Sequence, residues 1–466
     1  MRGRTVVALG VPLLLVAAVA VWGVRGLRLA SAATSEVLCA SHFIERLDAA
    51  DAFDDELAGE AGMALVRPAL SYQVDEGRRE VRTRILGLFS SRAVMQEGWG
   101  CQLVRGQGPP PLPPAPPWPE AGPLLPELAG PAVVEPADAR LRAALDDAFR
   151  EPDAGRRRRT KAVVIVYQGR VLAERYAPGY SPATPLWGHS MTKSVTSALI
   201  GLLVRDGKLR LEAPAPFPWT QPSAGREAIT TDQLLRMTSG LAADEDHGLS
   251  DRALPMWFLA DDMERFAEGA KLAAAPGTRW AYSNAGYQIA SRLVRDAAGG
   301  TATAALDFVR RELFGPLGMR SAVLEFDATG TPVGSRDLFA TARDWARFGL
   351  LYAQDGVAGG KQLLPAGWVR YSGSRTLQTG YGAGLWTSLE DGEVPGWGLP
   401  WSLPGAPREA LVARGYHGQW LVIVPSRRLV LVRLGASPGG DPAGVGRLLA
   451  AVLAALPVGE SGRTKP

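Results

Sequence analysis

Gly188-His189-Ser190-Met191-Thr192-Lys193-Ser194 runs directly into a stretch of helical pattern, residues 191–206, and its reading decides the fold. Positions three apart share one face of a helix, so Ser190 and Lys193 meet across a single turn. A serine hydroxyl is a poor nucleophile until a base removes its proton. Lysine becomes that base where burial and neighbouring positive charge bring its pKa below the free value of about 10.4. Arginine cannot take the role, because it does not lose its proton in proteins. The chain carries 45 arginines and only six lysines, so a lysine retained here runs against the composition. No other Ser-x-x-Lys occurs.

Two later elements carry matching chemistry. Tyr282-Ser283-Asn284 places the only asparagine of the chain two residues after a tyrosine. A phenol relays protons, and an amide orients a lysine or polarises a carbonyl. The same tripeptide also suits the N-cap of a helix over 285–298, and the two roles are compatible. Tyr416-His417-Gly418-Gln419 opens a late strand. A glycine there admits substrate against the backbone, and the amide after it is placed to donate to a developing oxyanion. His189 directly precedes Ser190, so its ring points off the catalytic face and is not read as the base.

Ser-Met-Thr-Lys at 190–193, Tyr-Ser-Asn at 282–284 and His-Gly at 417–418 together resemble the three motifs of the β-lactamase-related serine hydrolases. That group contains class C β-lactamases, D-alanyl-D-alanine carboxypeptidases and esterases. Residues 231–241, Thr-Asp-Gln-Leu-Leu-Arg-Met-Thr-Ser-Gly-Leu, and Pro276-Gly277-Thr278 add to the likeness. Residues 417–420 and 340–345 are most similar to 6-aminohexanoate-dimer hydrolase-like esterases. The resemblance covers residues 138–458. It implies that Ser190 is acylated, that Lys193 and Tyr282 shuttle its proton, and that Asn284 positions the lysine or the substrate. It also implies an oxyanion hole from the Ser190 and Gln419 amides, and no metal or organic cofactor. Tyr416 stands where β-lactamases carry the lysine of Lys-Thr-Gly. This departure favours small ester or amide substrates over D-alanyl-D-alanine or β-lactam substrates, which remain the alternative. A silent binding protein on the same fold is a third reading, opposed by the intact Ser190, Lys193, Tyr282 and Asn284.

Around the motifs the pattern is α+β. Strands are expected at 162–167 and 171–176 as a hairpin, then at 419–424 and 429–434, with terminal helices at 141–149 and 445–456. Helical segments at 232–238, 285–298, 303–314 and 341–354 lie between them. This predicts an antiparallel sheet built from both ends of the chain, flanked by terminal helices, with a mostly helical insertion. Such is the β-lactamase/transpeptidase-like fold that the resemblance implies. Trp187, Trp280, Trp386 and Trp420 sit beside motifs or a Gly-rich loop and are candidates for an apolar pocket. Tyr381 is expected at its rim, and Asp244 to His247 in an exposed loop rather than at a metal.

Further out, residues 6–24 are uninterrupted apolar sequence flanked by arginines. Nineteen residues rising about 1.5 Å each cross a hydrocarbon layer of about 30 Å. The expectation is an N-terminal membrane anchor over residues 1–34, with a signal peptide cleaved near Ser31-Ala32-Ala33 as the alternative. The two cysteines, Cys39 and Cys101, read as a disulfide and place the body on the periplasmic or extracellular side. Residues 35–104 then form a small, partly helical, disulfide-clipped module. Residues 105–137 are Pro-rich and read as an extended spacer, and 459–466 as a tail. The basic run from Arg156 to Arg159, continued by Lys161, is expected to be a solvated loop. A net charge of +4 over 466 residues argues against nucleic acid as a partner.

Overall fold

A computed structural model describes residues 5–105, 112–152, 157–220, 225–242, 252–395 and 397–456, with side chains from Gly23 onward. Helix α1 (Thr5–Phe43) is followed by α2 (Ala49–Glu56) and α3 (Met63–Val66). The antiparallel strands β1 (Leu70–Asp75), β2 (Glu80–Ile85), β3 (Phe89–Gln96) and β4 (Gly100–Val104) then pair in chain order. Residues 35–104 are therefore partly helical, as expected, and add a four-stranded sheet that the sequence did not indicate. In β2 the buried residues Val81, Thr83 and Ile85 alternate with exposed arginines, the period of a sheet with one covered face. That face is covered by α1, whose Ser31 and Ser35 hydroxyls meet Thr83 Oγ1 at 3.1 and 2.6 Å. Cys39 on α1 and Cys101 on β4 are disulfide-bonded, which fixes helix to sheet. Most of the stretch 6–24 lies outside the described side chains. Among the described residues no helix is long and apolar enough to cross a membrane, so the expected spanning helix gains no support. Residues 244–247 and 459–466 also lie outside the described residues.

The catalytic-type domain opens with α4 (Ala139–Phe149), β5 (Thr160–Tyr167), β6 (Arg170–Tyr176) and the short β7 (Leu186–Trp187). Next come α5 (Thr192–Arg205), α6 (Thr231–Leu235), α7 (Ala253–Leu259), α8 (Met263–Glu268), α9 (Asn284–Ala297) and α10 (Ala302–Val309). Strands β8 (Val323–Leu324) and β9 (Leu338–Ala340) precede α11 (Ala342–Ala353). The chain closes with β10 (Trp386–Thr387), β11 (Leu411–Gly415), β12 (Gln419–Val424), β13 (Leu429–Gly435) and α12 (Pro442–Ala455). The main sheet has six strands in the order β10-β11-β12-β13-β5-β6, with every pairing antiparallel, so both ends of the chain build it as expected. β12 and β13 are buried along their whole length, and β5 up to its last residue. The cause is cover on both faces, by α4 and α12 on one side and α11 on the other. At Gly349 of α11 a Cβ would lie 2.6 Å from Val430 Cγ1, so the helix sits on the sheet at a distance only glycine allows.

Two stretches differ from expectation for one reason: they dock. Residues 112–137 are not a free spacer. Leu125 and Leu128 are buried in the main core, and the Leu128 and Val134 carbonyls accept from Val171 and Glu174 on β6. Arg343 donates to the carbonyls of Gly130 and Ala132 at 2.8 and 2.9 Å. The basic run is only partly solvated: Arg157 is exposed and Arg156 lies outside the described residues, but the rest docks. Arg158 is buried and pairs with Asp441 at 3.2 Å, while Arg159 and Lys161 meet Asp55 and Glu56 of α2 at 3.0 and 3.1 Å.

Candidate active site

The polypeptide enters α5 through a single tight turn, His189–Met191, which sets Ser190 at the helix N-terminus. α5 is buried on nearly every face, so its hydroxyls are committed to backbone carbonyls. Ser194, Thr196 and Ser197 donate to Gly384, Gly334 and Ala383 at 2.6, 2.8 and 2.9 Å. Ser190 alone keeps partial exposure while Lys193, one turn on, is 2% exposed. Lys193 Nζ donates to Ser190 Oγ at 3.0 Å, to Asn284 Oδ1 at 2.5 Å and to the Ser335 carbonyl at 2.6 Å. Three oxygens thus fix the Lys193 nitrogen beside the Ser190 hydroxyl.

Asn284 begins α9, with Ser283 as its N-cap accepting from Gly286 N at 2.9 Å. The capping serine fixes the turn, and its neighbours Tyr282 and Asn284 face Lys193. The Tyr282 ring centroid lies 4.8 Å from Nζ. On its other sides Tyr282 meets Trp397, at 4.6 Å between centroids, and stacks on Trp386 at 6.3 Å. Trp386 is itself covered by the Arg414 guanidinium at 4.8 Å. Burial pulls Arg414 down to about 10, with the Tyr282 side chain opposing the fall.

Strand β11 brings the third element alongside. A Cβ on Gly415 would fall 2.2 Å from the Gly188 carbonyl oxygen, so only glycine lets β11 run against the motif-one turn. Ser190, Tyr282, Asn284, Trp187, Trp386, Trp420, Tyr416 and His417 line one cavity together with Arg414 and Gly415. Gly418 and Gln419 are not in that lining. Gln419 is buried, with its amide clamped on Gly435: Nε2 donates to the carbonyl at 2.6 Å and Oε1 accepts from N at 3.0 Å. The strand that meets the site is thus β11, one strand earlier than the sequence indicated. Tyr381 is buried against Tyr287 rather than placed at the rim.

Sequence reasoning missed Ser335, Trp397, Arg414 and, above all, Glu56. Glu56 Oε1 accepts from Lys161 at 3.1 Å, and Oε2 lies 3.0 Å from His417 Nδ1. His189 Nε2 lies 3.4 Å from the same oxygen, without hydrogen-bond alignment. Burial pushes Glu56 up, but Lys161 and the two histidines outweigh it and hold the carboxyl well below the usual range. Burial also works to lower His417, yet its bonds to Glu56 and Glu60 carry it up to about 9. His189, stacked on Trp187 at 4.0 Å, is pulled down to about 4 by burial. Its ring lies among Trp187, Tyr416 and His417 in the lining of the cavity.

Glu56, His189 and His417 hold ligand-type atoms within 4.8 Å of one another, as do Glu36, Glu325 and Asp337, and Asp262, Glu264 and Asp327. Each group already contains a protein cation. Lys161 serves the first, Arg336 the second, at 3.0 Å from Glu36 and 2.8 Å from Asp337, and Arg292 the third, at 2.9 Å from Glu264. These are buried ion-pair networks that call for no metal charge.

Comparison with known proteins matches residues 145–456 to the family described as Beta-lactamase. The 6-aminohexanoate-dimer hydrolase of Paenarthrobacter ureafaciens is 26% identical over 299 residues, covering 60% of this chain and 74% of that protein. A D-alanyl-D-alanine-carboxypeptidase/endopeptidase of Escherichia coli (strain K12) is 29% identical over 147 residues, 31% of this chain and 36% of its own length. Among solved structures, a penicillin-binding protein homologue from Caulobacter crescentus superposes with a TM-score of 0.53 at 20% identity. It covers 70% of this chain and 100% of that one.

Proposed function

The chain belongs to the Beta-lactamase family, and on that premise we propose that it is a serine hydrolase cleaving small esters or amides through an acyl-enzyme on Ser190. The observation that carries the reading is the position of Lys193 Nζ, 3.0 Å from Ser190 Oγ and anchored by Asn284 and Ser335, where the neutral amine can take the hydroxyl proton. Ser190 Oγ attacks the acyl carbon, its proton passing to Lys193 Nζ and, through Tyr282, to the departing alcohol or amine. Water then enters by the reverse proton path and frees the acid. The oxyanion is held by two backbone amides, those of Ser190 and Tyr416. The second choice replaces Gln419 and is supported by the contact between Gly415 and Gly188. Losing such a donor typically lowers kcat by about 10²–10³. An oxidising, extracytoplasmic setting for the folded chain is supported by the Cys39–Cys101 disulfide.

A second reading, action on cell-wall peptides or β-lactams, is supported by the match to the Escherichia coli carboxypeptidase/endopeptidase. It also draws on Arg414, a cation beside the site whose Nη2 meets no hydrogen-bond acceptor among the described residues. The test is intact mass of the full chain and of its Ser190→Ala variant after a fluorophosphonate, a short p-nitrophenyl ester or a penicillin. Labelling and ester turnover that vanish in the variant support the first reading. A long-lived penicilloyl adduct supports the second. No adduct on Ser190 under any condition leaves a silent binding protein.

A further inference from the structure

The cavity at Ser190 is larger than a small ester requires, about 1410 Å³ against about 300–1,000 Å³ for ordinary ligand sites. Its extra volume comes from outside the catalytic-type domain. Ala30, Ala33 and Val37 of α1 line it, with Leu57, Met63 and Val66, and with Trp257 and Phe258 of α7, which packs on α1. Ser190, Tyr282, Trp386 and Trp397 belong to the same lining. The N-terminal module is fastened there by buried polar contacts. Glu36 meets Arg336 at 3.0 Å, Glu45 accepts from Trp187 N at 2.7 Å, Glu56 meets Lys161 at 3.1 Å, and Glu325 accepts from Cys101 N at 2.6 Å.

Apart from Arg25 and Arg252, the charges in the lining are largely committed. Glu56 and Glu60 face His417, Arg336 is paired with Glu36 and Asp337, and Arg414 lies over Trp386 and Trp420. A peptide or sugar chain would leave its amides and hydroxyls without partners here, whereas hydrocarbon loses nothing on leaving water. We propose that the module completes an acyl-chain chamber, and that the substrate is an ester or amide of a long unbranched fatty acid. Its carbonyl sits at Ser190, and its chain lies between α1, the 57–66 segment and α7. This rests on the serine hydrolase reading.

The test uses the full chain with acetyl, butyryl, octanoyl and dodecanoyl p-nitrophenyl esters, together with fluorophosphonate labelling of Ser190. Each buried methylene contributes roughly fourfold to kcat/KM, so octanoyl is expected to exceed acetyl by at least about 100-fold. Ala33→Trp, which fills the chamber from α1, is expected to lower the octanoyl-to-acetyl ratio by at least about tenfold. Ala30→Trp provides a second obstruction should the first variant not fold. Turnover of acetyl ester with no gain along the wild-type series, or an unchanged ratio in a folded tryptophan variant, overturns the chamber and leaves the hydrolase standing. If neither ester nor fluorophosphonate reaches Ser190, the hydrolase reading fails and the chamber with it.

Discussion

The cavity has two sides of different origin, and they are written in the sequence in different ways. The catalytic side is local. Ser190 and Lys193 are one turn apart, and Tyr282 and Asn284 flank a capping serine, so short spacing and residue chemistry announce them. The N-terminal side is held by pairs whose members are chemically ordinary and far apart. Glu56 meets Lys161 across 105 positions, and Glu36 meets Arg336 across 300. Nothing near Glu56 in the sequence separates it from the acidic residues around it, yet it ends in contact with two motif histidines. A local constellation is legible from one chain, whereas a buried complementary pair becomes legible only when the fold has brought it together.

The largest expected effect breaks the local side. Lys193→Met removes the group bonded to Ser190 Oγ, Asn284 and Ser335 and is expected to lower kcat/KM by about 10³-fold or more. Ester kinetics on the folded variant check it. A loss below tenfold would mean that the proton leaves Ser190 by another path.

The next strikes the distant side. Glu56→Gln keeps the shape but leaves buried Lys161 short of its main counter-charge, with an expected cost of about 3–5 kcal/mol, read by denaturant unfolding. It also carries a pH signature. His417 has its folded pKa raised to about 9 by Glu56 and Glu60, above an unfolded value of about 6.5. Its stabilisation is therefore complete below about 6.5 and is lost as pH rises through about 9. The chain has only four histidines, so the His417 imidazole resonance can be followed through a titration in both proteins. Its midpoint should fall toward the ordinary value in Glu56→Gln. An unchanged midpoint would show that Glu60 alone holds the proton.

Legibility followed burial in the fold as well. β12 and β13 were readable because cover on both faces makes them continuous apolar runs. β11 was not, since Arg414 interrupts it and the arginine is buried by lying over two tryptophans and donating to the Pro400 carbonyl at 3.0 Å. β2 has a period of two, but its outward arginines and inward Thr83 dilute the signal. The Pro-rich segment was misread because proline lacks a donor, not an acceptor. Its carbonyls are free to receive arginines from α11, and Leu125 and Leu128 enter the core between them.

The smallest expected effect tests where the catalytic side ends. Gln419 follows His-Gly in sequence and was assigned an oxyanion donor on that ground. In the fold its amide serves as a substitute ladder rung for Gly435, where the β13–β5 register shifts at a bulge. Gln419→Ala leaves a buried N–H and carbonyl unpaired, at a cost of about 1–3 kcal/mol, and should appear mainly as a lowered Tm. Because Nε2 also donates to the Tyr416 carbonyl at 3.1 Å, kcat/KM should fall modestly, by less than about tenfold. The substitution keeps the main-chain N–H that the sequence indicated as donor, so a fall of about 10²–10³ with Tm preserved would mean that the Gln419 side chain itself serves the oxyanion. It would return Gln419 to the catalytic side and move the boundary from β11 to β12.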